Sequence, residues 1–321
     1  MQKNNKTLIF KILSSSLSII SVFLLLEIYV RIIIDDGLNL DIEMLKYANS
    51  LKIASENKSI GLEHKKNVKK KLMNVDLQLN SQGFRNNVDI DNKKRKILML
   101  GDSMTLGWGA NQTFSSILEK NINNNIQVLN AGIGNTNTYM QINNFFTNFI
   151  KYDFDIIILN FFINDFENVK IKKVSFFKKN FYSFTYFESK LYEILIALSL
   201  LDNWESFYKK TFENEHFLKK SLKEITKLKD YCKKNNILFV INNIPELRNL
   251  KKYKFKSETK IIKNFSEVNG IKFIDSFEIL KNYQEETLWV TKYDSHANDK
   301  AHLLIAEFLE KKLFNELNSF Y

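Results

Sequence analysis

The sequence predicts an α/β fold with a mostly parallel sheet, preceded by an N-terminal transmembrane helix. Three observations predict it. Short apolar runs, Ile97–Leu100, Ile156–Leu159 and Ile237–Ile241, show no alternating polar face, as strands buried on both sides do. Stretches with helical apolar spacing separate these runs, which implies crossover connections and therefore parallel pairing. Leu8–Ile34 is mostly apolar, with Lys11, Glu27 and Arg31 as its only charges.

Composition narrows the function classes. The chain has 321 residues, one proline (Pro245) and one cysteine (Cys232). A single cysteine excludes an internal disulfide framework and a cysteine metal cluster. The formal net charge of +11 comes mainly from lysines scattered beside aspartates and glutamates. That pattern suits solvated helix faces, and no RNA- or DNA-reading motif accompanies it, so no nucleic-acid partner is expected.

Residues 1–7 are short, polar and basic, and read as a cytoplasmic tail. As a helix, residues 8–34 would cross a hydrocarbon layer of about 30 Å. Lys11 and Arg31 lie near its ends, and Glu27 and Arg31 are spaced to pair on one face. A cleaved signal peptide is the rival reading. The long core and the lack of a small-x-small cleavage site favour an uncleaved anchor in the lipid bilayer, and Lys3, Lys6 and Lys11 favour an internal N-terminus. Residues 35–92 form a polar, basic connector expected near the main domain. The five lysines of Lys65–Lys71 read as a solvated face, and Asn80–Asn87 (NSQGFRNN) as a compact turn.

The domain proper spans 93–321. The spacing predicts a strand over Ile97–Leu100, a helix over Gln112–Asn124, a strand over Ile126–Leu129, a helix over Thr138–Ile150 and a strand over Ile156–Leu159. Residues 169–214, dense in Phe, Tyr, Leu and Lys, predict an insertion of two or three helices. A helix over His216–Asn235, a strand over Ile237–Ile241, a helix over Glu258–Asn269 and a strand over Ile271–Ile274 follow. Thr287–Val290 reads as extended, Asp294–Asn298 as a loop, and Lys300–Leu317 as the closing helix.

Three loops beyond apolar strands are rich in polar groups: Gly101–Ser103, Asn130–Asn135 and Asn164–Asp165. Carboxyl ends of parallel strands share one edge, so these loops and Asp294–Asn298 can meet there. Together they offer a hydroxyl, an imidazole, carboxylates and amide donors, the minimum for acyl transfer. Each piece alone also reads as ordinary structure: Ser103 as a helix cap, Asp294-x-His296 as a surface turn. His302 reads as a capping or packing residue, and His64 and His216 lack supporting context. A hydrolytic metal on His296, Asp294 and Asp102 is disfavoured, because no closely spaced His pair or third strong ligand accompanies them. No metal or other cofactor is therefore expected.

These blocks, in this order, resemble the SGNH/GDSL hydrolase family in its membrane-anchored bacterial form. KILMLGDSMTLGWG contains Gly101-Asp102-Ser103 like the nucleophile block. NSQGFRNN resembles a piece found just upstream in such members. VLNAGIGNTNT (Val128–Thr138), FFINDF (Phe161–Phe166) and DSHANDKAH (Asp294–His302) resemble the remaining blocks. The resemblance implies a flavodoxin-like three-layer α/β/α fold. It implies Ser103 as nucleophile, His296 as general base and later acid, and Asp294 as its orienter. The oxyanion donors would be the Ser103 N–H, an N–H at Gly134 or Asn135, and the Asn164 side chain. Asp102, Asn135, Asp165 and Asn298 are supporting candidates.

Four departures accompany the likeness. Phe162 stands where the third block begins with glycine, which would narrow the site. The second-block glycine often falls one residue later, at Asn135. The last pair is spaced D-x-H rather than D-x-x-H, a spacing also found in members acting on exported polysaccharides. Ala301 replaces the glycine of the final motif. The resemblance implies a serine esterase of the bacterial cytoplasmic membrane, single-pass, with its catalytic domain outside. Its substrate would be an O-acylated envelope glycan or lipid-linked sugar. The alternatives are a lipid esterase or thioesterase, an O-acyltransferase for an exported polysaccharide, and a non-catalytic glycan-binding scaffold.

Overall fold

Five parallel strands in a doubly wound order form the core of the computed structural model. The structure describes residues 2–122, 125–171 and 175–318, with side chains from Thr7 onward. Met1 of the expected tail, residues 123–124 of the expected helix over Gln112–Asn124, residues 172–174 of the insertion and residues 319–321 lie outside these. Contacts divide the chain into two units. One comprises residues 1–46 with 173–201, the other residues 47–172 with 202–321.

The chain opens with α1 (Gln2–Tyr29), extended by a π-helical turn over Val30–Ile34. Thr7–Ile34 is long and apolar enough to cross a membrane. α2 (Leu40–Ser50) leads to two hairpins, β1 (Lys52–Ala54) with β2 (Leu62–His64) and β3 (Val68–Leu72) with β4 (Val75–Leu79). These hairpins lie in the stretch read from sequence as a polar, basic connector. The turn between β3 and β4 places Met73 and Asn74 both at positive φ, the backbone a tight hairpin needs.

β5 (Arg95–Leu100), α3 (Ser103–Leu106), α4 (Phe114–Asn121), β6 (Ile126–Asn130), α5 (Thr138–Asn144) and β7 (Ile156–Phe161) follow. The helix expected over Thr138–Ile150 gives way to a π-helical turn at Phe145–Phe149. The insertion holds α6 (Phe176–Asn180), α7 (Tyr182–Ala197) and α8 (Trp204–Glu213). Then come α9 (Glu215–Lys234), β8 (Leu238–Asn243), α10 (Lys256–Val268), β9 (Lys272–Asp275) and α11 (Phe277–Leu280). β10 (Trp289–Thr291), β11 (Asp294–Ala297), α12 (Asp299–Lys312) and α13 (Phe314–Asn318) end the chain. Asp294–Asn298, expected as a loop, is mostly strand: β11 pairs antiparallel with β10. Polar DSHA carries no alternation, so the pairing, not local pattern, makes it a strand.

In the first unit, the expected Glu27–Arg31 pair forms at 2.5 Å. The Glu27 carboxylate also accepts the Tyr182 and Ser183 N–H groups at 3.1 and 2.9 Å, capping α7. Arg31 donates to the Asn180 carbonyl at 2.9 Å and lies 4.0 Å from the Tyr182 ring centre.

In the second unit the sheet order is β6-β5-β7-β8-β9, all parallel, the flavodoxin-like arrangement. Chain direction across the sheet reverses between β5 and β7, and the carboxyl ends of these two strands flank the crevice. Ile97, Leu98 and Met99 of β5 and Ile156–Leu159 of β7 are wholly buried, which explains their unbroken apolar character. Close approach at the strand ends explains two glycines. A Cβ on Gly101 would lie 2.0 Å from Thr105 Oγ1, and one on Gly132 would lie 2.2 Å from the Leu106 N.

Candidate active site

β5 delivers Ser103 to the switch point. Asp102 N-caps α3, its Oδ1 accepting the Met104 N–H at 2.9 Å, so Ser103 becomes the first helical residue. The β10–β11 hairpin brings His296 to it from the far end of the sequence. Ser103 Oγ lies 2.9 Å from His296 Nε2, and His296 Nδ1 lies 2.5 Å from Asp294 Oδ1. A carboxylate only accepts, so the proton sits on Nδ1 and the Nε2 lone pair faces the Ser103 hydroxyl.

Asp294 is held by three donors. Its Oδ1 takes the His296 N–H at 3.1 Å as well as Nδ1–H, and its Oδ2 takes the Trp108 indole N–H at 3.1 Å. Burial alone would raise the Asp294 pKa. The adjacent imidazole and these hydrogen bonds outweigh it and hold the carboxyl below its usual range. Burial likewise works against the His296 cation, yet Asp294, by charge and hydrogen bond, keeps the imidazole pKa above its ordinary value.

The other candidates divide. Asn164, just beyond β7, stands beside the Asp102 carboxylate. Burial raises the Asp102 pKa. Asp165 shapes the loop: its Oδ2 accepts the Phe162 N–H and its Oδ1 accepts Gln141 Nε2, each at 2.8 Å. Burial, reinforced by Asp102, pushes the Asp165 pKa well up. Asn298 caps α12 through the Ala301 N–H and ties down the Thr287 and Trp289 carbonyls, so it braces the hairpin that carries His296.

Of the two N–H groups expected as the loop's oxyanion donor, that of Gly134 donates to the Tyr47 hydroxyl at 3.0 Å. The N–H groups of Ser103 and Asn135 meet no acceptor among the described residues. Asn135 is exposed and adopts φ +63°, left-handed backbone that asparagine tolerates better than most residues.

Several residues of the site escaped the sequence reading. Trp108 sits in the GWG that follows the nucleophile block, a signal that was available. Arg85, from NSQGFRNN, donates to the carbonyls of Leu106 (2.7 Å), Gly107 and Ala110 (2.6 Å), pinning the loop that holds Trp108. His64, read as lacking context, is buried against Tyr47. Glu246 binds Arg248 at 2.5 Å and accepts the Ser295 hydroxyl at 3.3 Å, next to His296 in the chain. His302 is a packing residue: its Nδ1 accepts the Phe114 N–H at 3.1 Å. Among the described residues no three His, Cys, Asp or Glu side chains group to hold a metal ion.

The arrangement brings together a hydroxyl, an imidazole with its Nε2 lone pair toward it, a carboxyl held below its usual pKa range, and two N–H groups that meet no acceptor among the described residues. The profile of the GDSL-like Lipase/Acylhydrolase family matches residues 97–309. No curated protein is significantly similar to the chain. Among solved structures, the chain resembles a mutant acetylxylan esterase from Geobacillus stearothermophilus (14% identity, 68% of this chain and 94% of that one, TM-score 0.46). It also resembles a lipase/acylhydrolase from Enterococcus faecalis (11%, 69% and 96%, TM-score 0.45). A third is a member of the lipolytic G-D-S-L family from Veillonella parvula (16%, 69% and 98%, TM-score 0.42).

Proposed function

The chain belongs to the GDSL-like lipase/acylhydrolase family of serine esterases, and from that premise we propose that Ser103, His296 and Asp294 carry its ester hydrolysis. The observation that carries this reading is the unbroken line from Ser103 Oγ to His296 Nε2 (2.9 Å) and from His296 Nδ1 to Asp294 (2.5 Å). Ser103 Oγ attacks the ester carbonyl carbon while its proton passes to His296 Nε2. The oxyanion is met by the Ser103 N–H, the Asn164 amide and an N–H of the Gly134–Asn135 loop. The bond to the leaving alcohol breaks as His296 returns the proton to it. A water then attacks the acyl carbon, His296 takes its proton, and Ser103 leaves with that proton.

The substrate we propose is an O-acylated envelope glycan or lipid-linked sugar. The support is the apolar Thr7–Ile34 helix, which would tether the enzyme to the bacterial cytoplasmic membrane, and the basic residues before it. Phe162, which stands where the family's third block begins with glycine, is proposed to narrow the site toward a short acyl group. Two experiments test these points. The full chain in detergent is expected to hydrolyse p-nitrophenyl acetate, and Ser103→Ala to be silent; equal rates would sink the proposal. A phosphatase fused after Leu317 is expected to be active only with the domain exported, so an inactive, stable fusion would contradict the topology.

A further inference from the structure

Residues 47–64 carry three buried polar side chains, Tyr47, Lys52 and His64, that the hydrolytic cycle does not use; Tyr47 and Lys52 bond Gly134, and His64 bonds Tyr47. Their hydrogen bonds run in one direction. The Gly83 carbonyl faces His64 Nδ1 at 3.0 Å, and a carbonyl only accepts, so Nδ1 bears the proton. His64 Nε2 therefore accepts the Tyr47 hydroxyl proton, at 2.7 Å. The Tyr47 oxygen in turn accepts the Gly134 N–H at 3.0 Å. The Tyr47 hydroxyl thus has no proton left to offer an oxyanion. On the other side of Gly134, Lys52 Nζ donates to its carbonyl at 3.1 Å.

Gly134 lies between this cluster and the nucleophile. A Cβ built on it would sit 2.9 Å from the Tyr47 ring and 3.6 Å from Ser103 Cβ. In a trans peptide the carbonyl of one residue and the N–H of the next point in opposite directions. Lys52 holds the Gly134 carbonyl, so the Asn135 N–H points away from Lys52, and it meets no acceptor among the described residues. Burial keeps His64 neutral, its pKa pushed down to about 4, which leaves Nε2 free to accept. Gly83, whose carbonyl anchors the chain of bonds, belongs to the same NSQGFRNN turn as Arg85, so one turn braces loops on both sides of Ser103.

We propose that Tyr47, with His64 and Lys52, is a positioning residue of the esterase site: the three clamp Gly134 at its N–H and its carbonyl, so that the N–H of Asn135, not of Gly134, meets the oxyanion. This rests on the esterase reading given above. It gives the turn upstream of the nucleophile, and the strands before it, a task in the reaction.

The test uses the full chain in detergent with p-nitrophenyl acetate, and counts active serines with a fluorophosphonate so that kcat is per competent site. Tyr47→Phe keeps the ring against Trp108 and removes only the hydroxyl. The expected result is a kcat about 10- to 100-fold lower with KM within about twofold, less than removal of an oxyanion donor itself. Hydrogen exchange at the Gly134 amide is expected to accelerate. Lys52→Met, which keeps the aliphatic stem, is expected to lower kcat in the same KM-neutral way, and it carries the test should Tyr47→Phe fold poorly. Wild-type kcat in both variants would overturn the proposal. So would a raised kcat in Tyr47→Phe, since the released Gly134 N–H would then be the better donor. Full hydrolysis by Ser103→Ala would instead overturn the serine assignment, and amide exchange at Gly134 would still report whether the clamp exists.

Discussion

Replacing Asp294 by asparagine probes the coupling between orienter and base. The carboxylate serves three donors: the His296 N–H and Nδ1–H at Oδ1, and the Trp108 indole at Oδ2. An amide has one acceptor oxygen. With that oxygen toward His296, the new NH2 confronts the Trp108 N–H. Reversed, it confronts two donors and forces His296 into the tautomer with no lone pair toward Ser103. Either orientation strands a buried donor, at about 1–3 kcal/mol. Loss of the charge that stabilises the imidazolium adds to this, and the sum expected is about 4–5.5 kcal/mol, or about 10³- to 10⁴-fold in kcat/KM. The assay is the pH profile of p-nitrophenyl acetate hydrolysis. Wild-type activity rises with pH as His296 loses its proton, with a midpoint above the ordinary 6.5 because Asp294 outweighs burial. In Asp294→Asn burial remains and the carboxylate is gone, so the residual activity has its midpoint at lower pH. A variant within tenfold of wild type, or an unmoved midpoint, would show that Asp294 does not orient and charge-stabilise His296.

Three further outcomes follow from the same geometry. Arg85→Met removes one donor group from three backbone carbonyls, and a loss of about 3 kcal/mol or more is expected in urea unfolding; a change under about 1 kcal/mol would contradict the bracing role. Phe162→Ala is expected to raise kcat/KM for p-nitrophenyl butyrate relative to acetate, and an unchanged ratio would show that Phe162 does not limit the acyl group. Burial lowers the His302 pKa to about 3, whereas the unfolded chain protonates near 6.5, so this contribution to stability is complete above 6.5 and is lost as pH falls below it. Replacing His302→Gln is expected to make the stability slope between those values shallower by about 1.4 kcal/mol per pH unit; identical slopes would contradict a neutral buried imidazole.

The strands at the centre of the sheet were legible because burial on both faces leaves an unbroken apolar run, as in Ile156–Leu159. The loops beyond β5, β6 and β7 were legible because polar residues follow those runs directly. The meeting of Ser103 with His296 could only be expected from topology and resemblance, since 193 residues separate them. Asp294–Ala297 was hidden because a polar strand in a two-stranded hairpin bears no periodic mark. Val75–Leu79 did carry one: Val75, Leu77 and Leu79 are buried and alternate with polar residues. Tyr47, Lys52 and His64 had no such sign. Tyr47 and Lys52 bond a glycine 87 and 82 residues away and His64 reaches it only through Tyr47, so nothing local to them shows their role.

The central claim is that Ser103 carries the acyl group during turnover. The most direct measurement is mass spectrometry of the full chain quenched with acid during p-nitrophenyl acetate hydrolysis. One acetyl group is expected on the peptide containing Ser103, absent from His296→Ala. Turnover with that peptide unmodified, or with the acetyl group on another residue, would contradict it.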